Sequence, residues 1–327
     1  MSRFLHVANG TSTTMTIEAA GLPGAVSIWA DPLHDGPVPG NLTDEELVDV
    51  RARQLSDADS FAATVHVLTE WRTVIQQHDA YDELVLWYEH DLFDQLNIIQ
   101  LLSWIRAQLP VTKPVSLICI GSFPGRPTFK GLGELTTQEL APLLDTRQPV
   151  DEAQYALARR AWQAFREPTP EPIDDLRQTD TSALPYLAAA LGRFLQEYPW
   201  TTDGLSRTER RLLQLAEAGP IGLAAAFPRM HDGEKAYYVS DGSFTDAIET
   251  LSHTSTPLIV HTASDTQDER VLAGSVSLTD AGRNVLAGKL DRVVTFGIDR
   301  WLGGVHLRRD NLWRWDDAAQ AVRRVPH

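Results

Sequence analysis

Over its first 145 residues the chain alternates short apolar runs with longer amphipathic stretches, and this constrains the fold more than any other feature. Phe4–Ala8 is an apolar run that ends in Asn9-Gly10. Residues 11–20 open with a hydroxyl side chain and close at Gly21, the punctuation of a helix. Residues 25–30 (AVSIWA) read as a second strand, stopped by Asp31-Pro32. Asp44–Leu55 follows as a helix, with Thr43 as its N-cap and Glu46 placed to complete a capping box. Residues 61–78 have apolar positions at helical spacing. Residues 83–88 (ELVLWY) are a third strand, 94–108 a helix, and Val115–Ile120 a fourth strand that stops at Gly121. Strands separated by helices pair in parallel through right-handed crossovers. The expectation for residues 1–147 is therefore an α/β domain with a Rossmann-like open parallel sheet.

Beyond this point the pattern changes. Residues 151–166 form an amphipathic helix, and 167–175 (EPTPEPIDD) carry three prolines in nine residues, which reads as an extended connector. Helical patterns continue over 181–198 and 206–218, the second ended by Gly219-Pro220, with shorter ones over 222–230 and 245–253. Strands at 257–262 and 274–278 and a helix at 279–287 follow. Helices, a small hairpin and a closing helix suggest a winged-helix-like region. Residues 301–315 read as a two-stranded finish turning near Asp310-Asn311. The expected organisation is an α/β domain over 1–147, a helical connector with a Pro-rich linker over 148–204, and a winged-helix-like domain with a C-terminal hairpin over 205–327.

With 43% hydrophobic and 22% charged residues, the composition is that of a packed globule and excludes wholesale disorder. The 29 basic and 44 acidic residues leave a net charge of −15. That excess disfavours a general DNA or RNA coat, which needs Lys and Arg against phosphate, and disfavours an anionic membrane surface. Cys119 is the single cysteine, which excludes an intrachain disulfide and a Cys-rich zinc site. No basic stretch precedes an apolar run at the start, and no window approaches a membrane span, so a soluble cytoplasmic protein is expected.

Function is sought at the strand ends, because ligands of open parallel sheets bind outside the carboxyl ends of the strands. Asn9-Gly10-Thr11-Ser12 follows the first strand, and Asp31-Pro32-Leu33-His34-Asp35-Gly36 the second. Glu89-His90-Asp91 follows the third, and Gly121-Ser122 with Arg126 the fourth. If the sheet assembles as read, these groups converge on one edge. Glu89, His90 and Asp91 form the densest group: a carboxylate beside an imidazole orients its tautomer and raises its basicity, which suits acid–base catalysis. With Asp31 and His34 they could instead hold a divalent ion through nitrogen and oxygen. The bland alternative is that His90 and Asp94 cap the next helix. Asn9, Gly10, Thr11 and Ser12 could seat an anion on helix-end N–H groups, and Arg126 could clamp it. Arg51, Arg53 and Lys130 are weaker candidates for the same task. His6, inside the first strand, reads as a core histidine, and Cys119 as a buried inert thiol. Residues 240–251 would be the recognition helix of a winged-helix module, but Asp241, Asp246 and Glu249 disfavour direct DNA reading. The Arg- and Trp-rich tail reads as an aromatic anchor beneath a hairpin.

The segments LHVANGTS, WADPLHDGPVP, VRARQL and LWYEHDLFDQLNIIQLL resemble a bacterial family of uncharacterised proteins carrying domain of unknown function 1835. GLSRTERRLL, VSDGSFTDAIETL with PLIV, and GIDRWLGGVHL with NLWRWD extend the resemblance over most of the chain. EHDLFDQ is its most specific element. The family pattern usually has Asp where this chain has Thr11, so the first loop is not expected to supply a catalytic acid. The resemblance implies a cytosolic bacterial protein and carries no established activity. The residues themselves favour a hydrolase or group-transfer enzyme acting on a small polar, phosphorylated or nucleotide-like substrate. The rival is a ligand-sensing regulatory or nucleic-acid-associated protein with a winged-helix-like partner-binding module.

Overall fold

The computed structural model describes residues 3–110, 112–263 and 272–325. The chain divides into two compact units, Met1–Leu191 with Gly303–Val305, and Gly192–Leu302 with His306–His327. In the first unit, β1 (Phe4–Ala8), α1 (Thr11–Ala19), β2 (Gly24–Ile28), a two-residue β3 (Gly36–Pro37), α2 (Asp44–Leu55) and α3 (Phe61–Gln76) lead to β4 (Glu83–Glu89). Then come α4 (Leu92–Gln108), β5 (Val115–Ile120), α5 (Thr137–Leu140), β6 (Gln148–Pro149), α6 (Glu152–Phe165) and α7 (Glu171–Leu176), and the boundary between the units falls within α8 (Leu187–Leu195). The capping box of α2 forms as its sequence requires, with Thr43 accepting from Glu46 N at 3.2 Å and Glu46 accepting from Thr43 N at 2.8 Å.

The main sheet has the order β2-β1-β4-β5-β6, its first four strands parallel and β6 antiparallel to β5. Chain order starts in the middle with β1, adds β2 on one side, then crosses back to lay β4 on the other. The order thus reverses between β1 and β4, where successive connections leave in opposite directions, the kind of place at which open α/β sheets take ligands. Ala8 lies beside Trp87 in this pair, so Asn9 and Glu89 emerge together. With right-handed crossovers, helices leaving in opposite directions cover opposite faces. One face packs Phe4, Ala8, Val85, Trp87 and Ile118 against Ile17 of α1 and against Phe129, Leu132 and Leu140. The alternate positions Leu5, Val7, Leu84, Leu86 and Tyr88 are buried on the other face, as the strand pleat dictates.

Helix α4 has 12 buried residues of its 17. A helix covered on nearly every side shows no amphipathic stripe, and its polar members must find partners inside. Part of that cover is α6, which packs on α4. Residues 148–191 therefore belong to the first unit rather than forming a connector. The stretch 167–175, expected to be extended, contains the start of α7. Pro172 sits in the first turn of that helix, where its missing N–H has no partner to lose and its fixed φ is already helical.

The second unit runs through α9 (Arg207–Leu215), β7 (Ile221–Gly222), α10 (Leu223–Met230), α11 (Asp241–Ser252), β8 (Ile259–Thr262), β9 (Ser275–Leu278), α12 (Asp280–Leu286) and α13 (Arg292–Phe296). β7, β9 and β8 form an antiparallel sheet in that order. Helix α11 begins a turn earlier than its sequence suggested, because Ser240 caps it by accepting from Ser243 N at 3.1 Å. After β10 (Arg300–Gly303) and β11 (Val305–Leu307), the chain ends in a hairpin of β12 (Trp313–Asp316) and β13 (Ala321–Arg324). That hairpin overlaps only the end of the 301–315 stretch expected for it, and Gln320, at φ 52°, lies in the turn between its strands. A tight turn does occur at Arg308 to Asn311, closed by Asn311 N donating to Arg308 O at 3.0 Å. Trp313 and Trp315 are both buried. Among the described residues, no helix is long and apolar enough to cross a membrane.

Candidate functional site

At the carboxyl ends of β1 and β4, Asp94 ties the two strand ends together. It stands one turn into α4, and its Oδ2 accepts from the Glu89 backbone N at 2.5 Å and from Asn9 Nδ2 at 3.0 Å. The Thr13 hydroxyl donates to Asn9 Oδ1 at 2.8 Å, while the Asn9 NH2 faces the acids. Gln95 Nε2 donates to the Glu89 carbonyl at 2.8 Å. Asp91 is the N-cap of α4, accepting from Asp94 N at 2.9 Å. The capping role foreseen for His90 and Asp94 therefore falls to Asp91.

The segment after β5 folds over this cluster. Leu132 N donates to Glu89 Oε2. A side chain at Gly131 would collide with the Glu89 carboxyl, so the close approach of that backbone requires glycine. Phe129 stacks on His90 with ring centres 6.3 Å apart, and Tyr186 meets the same ring edge-on at 6.0 Å. Tyr186 also packs against Gly121, where a Cβ would lie 2.7 Å from its ring. Ser12 approaches the same segment, since a Cβ on Gly133 would sit 3.2 Å from Ser12 Cβ.

Three buried carboxyls thus lie close enough to act on one another's charge, and among the described residues none is in an ion pair. Burial raises the Glu89 carboxyl to about 8, helped by the charge of Asp91 and opposed by the N–H of Leu132 and the amide of Asn9. Burial raises Asp91 to about 6, with the Asp94 N–H and the neighbouring His34 pulling the other way. Asp94 is pushed well above the carboxylate range by burial and by both neighbouring acids. Cys119, in contact with Gln95 Nε2 at 3.5 Å, is driven upward by burial and by the same acids, so it is no nucleophile.

The loop after β2 reaches the same place. Asn97 of α4 grips Asp31 twice, accepting from its N and donating to its O, each at 2.9 Å. Gln100 accepts from Trp29 Nε1 at 2.7 Å. The His34 ring lies 6.1 Å from that of Phe93 and 3.3 Å from the Asp35 carboxylate.

Asn9, His34, Glu89, His90 and Asp91 come together as their positions in the sequence suggested. Asp31 does not join them as an acid, because Arg51 binds it with Nε at 3.0 Å from both oxygens and Nη2 at 2.7 Å. Arg51 also donates to Asp35 O at 2.7 Å and Pro32 O at 3.1 Å, so this buried pair shapes the loop. Arg126 is engaged by Glu139, with Nη2 to Oε2 at 2.8 Å and Nε to Oε1 at 3.2 Å, and is no open anion clamp. Thr11 and Ser12 are exposed at the start of α1, and Gly10 caps that helix without a side chain. His6 is a core histidine: its Nδ1 accepts from Trp87 Nε1 at 3.1 Å, and burial lowers its pKa to about 4.

Asp94, Asn97 and Gln100, which hold three segments to α4, escaped the reading from sequence. Their signal was present: polar residues three apart on an otherwise apolar helix lie on one ridge, and a buried ridge of that kind must bond to something. Among the described residues, no group of three or more His, Cys, Asp or Glu could hold a metal ion, so the divalent-ion alternative has no ligand set here. No protein-family model matches the chain, and neither does any curated protein.

Proposed function

We propose that the first unit is an acid–base enzyme, a hydrolase or group-transfer catalyst, acting on a small polar substrate at the carboxyl ends of β1 and β4. The observation that carries this reading is the pair Glu89 and Asp91, two carboxyls in one buried cluster whose environments push their pKa values apart. At neutral pH Glu89, at about 8, keeps its proton and serves as general acid, while Asp91, at about 6, has lost its proton and serves as base. His90, clamped between Phe129 and Tyr186, orients the substrate, and His34 favours the charged form of Asp91. With Arg126 engaged elsewhere, a phosphorylated substrate would depend on the amides at the start of α1. A substrate whose reacting group is uncharged fits the three acids better. The Rossmann-like reading of the sheet and a cytoplasmic setting accompany this proposal.

The test is a turnover screen of the purified protein against small esters, amides, glycosides and phosphate esters. The expected result is a bell-shaped kcat/KM profile with limbs near 6 and 8, and a loss of about 10²-fold or more in Asp91→Asn and in Glu89→Gln. Asparagine is as good an N-cap as aspartate, so Asp91→Asn removes the base and keeps the cap. Unchanged rates in both variants, or no turnover of any class, would refute the proposal.

A second reading rests on the second unit, whose succession α9, β7, α10, α11, β8, β9 with sheet order β7-β9-β8 we read as winged-helix-like. In that reading the acid cluster senses a ligand and the second unit engages a partner. The acids Asp241, Asp246 and Glu249, exposed on α11, favour a protein partner over a nucleic acid.

A further inference from the structure

Asp94 differs from the other two acids in what its two oxygens meet. Oδ2 accepts two N–H groups, from Glu89 and from Asn9. A backbone amide can only donate, and the Asn9 NH2 faces both Asp94 and Glu89 while its Oδ1 takes the Thr13 hydroxyl. An oxygen already accepting two hydrogens cannot also carry the proton of a neutral carboxyl, so that proton must sit on Oδ1. Asp94 is 1% exposed, and Oδ1 has no hydrogen-bond partner among the described residues. The neighbouring charges that act on it are those of acids, which disfavour an ionised form. Glu89 on β4 and Asp91 on α4 are acids, and Tyr88 on β4 and Cys119 on β5 are held neutral by burial. Glu134, after β5, adds its charge against Glu89, and His34, after β2, acts on Asp91.

We infer that Asp94 is a neutral carboxylic acid whose Oδ1–H is reserved for an uncharged oxygen acceptor, a carbonyl or hydroxyl of the substrate. The inference rests on the acid–base reading of the same site and deepens it by naming the substrate class. A neutral polar group accepts the Asp94 hydrogen without meeting like charge. An anionic group would be placed among acids with no counter-charge, and a cationic donor would face another hydrogen. Asn9 is a positioning residue in this scheme, since with the Glu89 N–H it occupies the oxygen of Asp94 that does not keep the proton.

Infrared difference spectroscopy on the full chain tests this, with acetamide as the neutral probe and acetate as the anionic one at equal ionic strength. At pH 7 the wild type should show the C=O stretching band of a protonated carboxyl that is absent from Asp94→Asn. Acetamide should shift this band saturably to lower frequency, and acetate should leave it in place. Asparagine places an amide where the neutral acid stood, so the variant is expected to fold and serves as the reference. Absence of the band would overturn the inference. So would a band that acetamide does not move, since the acceptor would then be water alone, or one that acetate moves as much. None of these results touches the bell-shaped profile of Glu89 and Asp91. Conversely, loss of that profile with an acetamide-responsive band would leave the Asp94 assignment standing and refute the catalytic reading.

Discussion

Replacing Glu89 by glutamine should make the first unit more tolerant of alkaline pH, by an amount that follows from where the carboxyl lies. In the unfolded chain this acid ionises near 4.5, and in the fold only near 8. A carboxyl raised by folding stabilises the native state fully below its unfolded value, and the contribution is lost as pH climbs through the folded one. Between these limits lie 3.5 pH units, the difference of the two values. At about 1.36 kcal/mol per unit, wild-type stability should fall by about 5 kcal/mol from this group between pH 4.5 and 8. Glutamine has the same shape, keeps an oxygen for the Leu132 N–H, and carries no proton to lose. The measurement is urea unfolding of both proteins at intervals from pH 5 to 9, read as hydrogen exchange in peptides covering β4 and β5, so that this unit is followed alone. The stability of Glu89→Gln relative to wild type should rise steadily with pH and level off above about 8. A constant difference across the range would show that Glu89 is not held protonated by its surroundings, and the acid assignment would fail with it.

Two further outcomes probe the frame around the site. Arg51→Met leaves the Asp31 carboxylate buried without its partner and should cost about 3–5 kcal/mol in unfolding free energy. A cost below about 1 kcal/mol would mean that the pair does not organise the loop after β2. Cys119 should resist a thiol reagent at pH 8 in the native protein and react fully once urea unfolds the first unit. Fast stoichiometric labelling of the native chain would contradict the raised thiol pKa of this half-buried residue.

The outline of the first unit was legible because its signals are local. Asp44–Leu55 and Val115–Ile120 have the limits their sequences announce, since a Thr43–Glu46 capping box and a six-residue apolar run bounded by Pro114 and Gly121 need nothing distant to act. The region 167–175 was misread for the opposite reason. Three prolines look like an extended linker from composition, yet Pro172 at a first turn promotes the helix once the chain has somewhere to pack. The convergence of the EHD turn with the DPLHDG loop was also foreseen, because parallel strands deliver their carboxyl ends to one edge.

What the amino-acid order determined by itself is the succession of elements and the edge at which polar loops gather, for capping, periodicity and crossover handedness depend on neighbours in the chain. Which of the gathered groups remain open for chemistry was decided only by tertiary contact. Asp31 and Asp91 look alike in the sequence, but a guanidinium from α2 reaches the first and, among the described residues, none reaches the second. Asp94 looked like a helix cap until two N–H groups from different segments closed on one of its oxygens. The protonation of a carboxyl is set by the water it loses and the charges and donors that replace it, and those come from residues scattered along the chain.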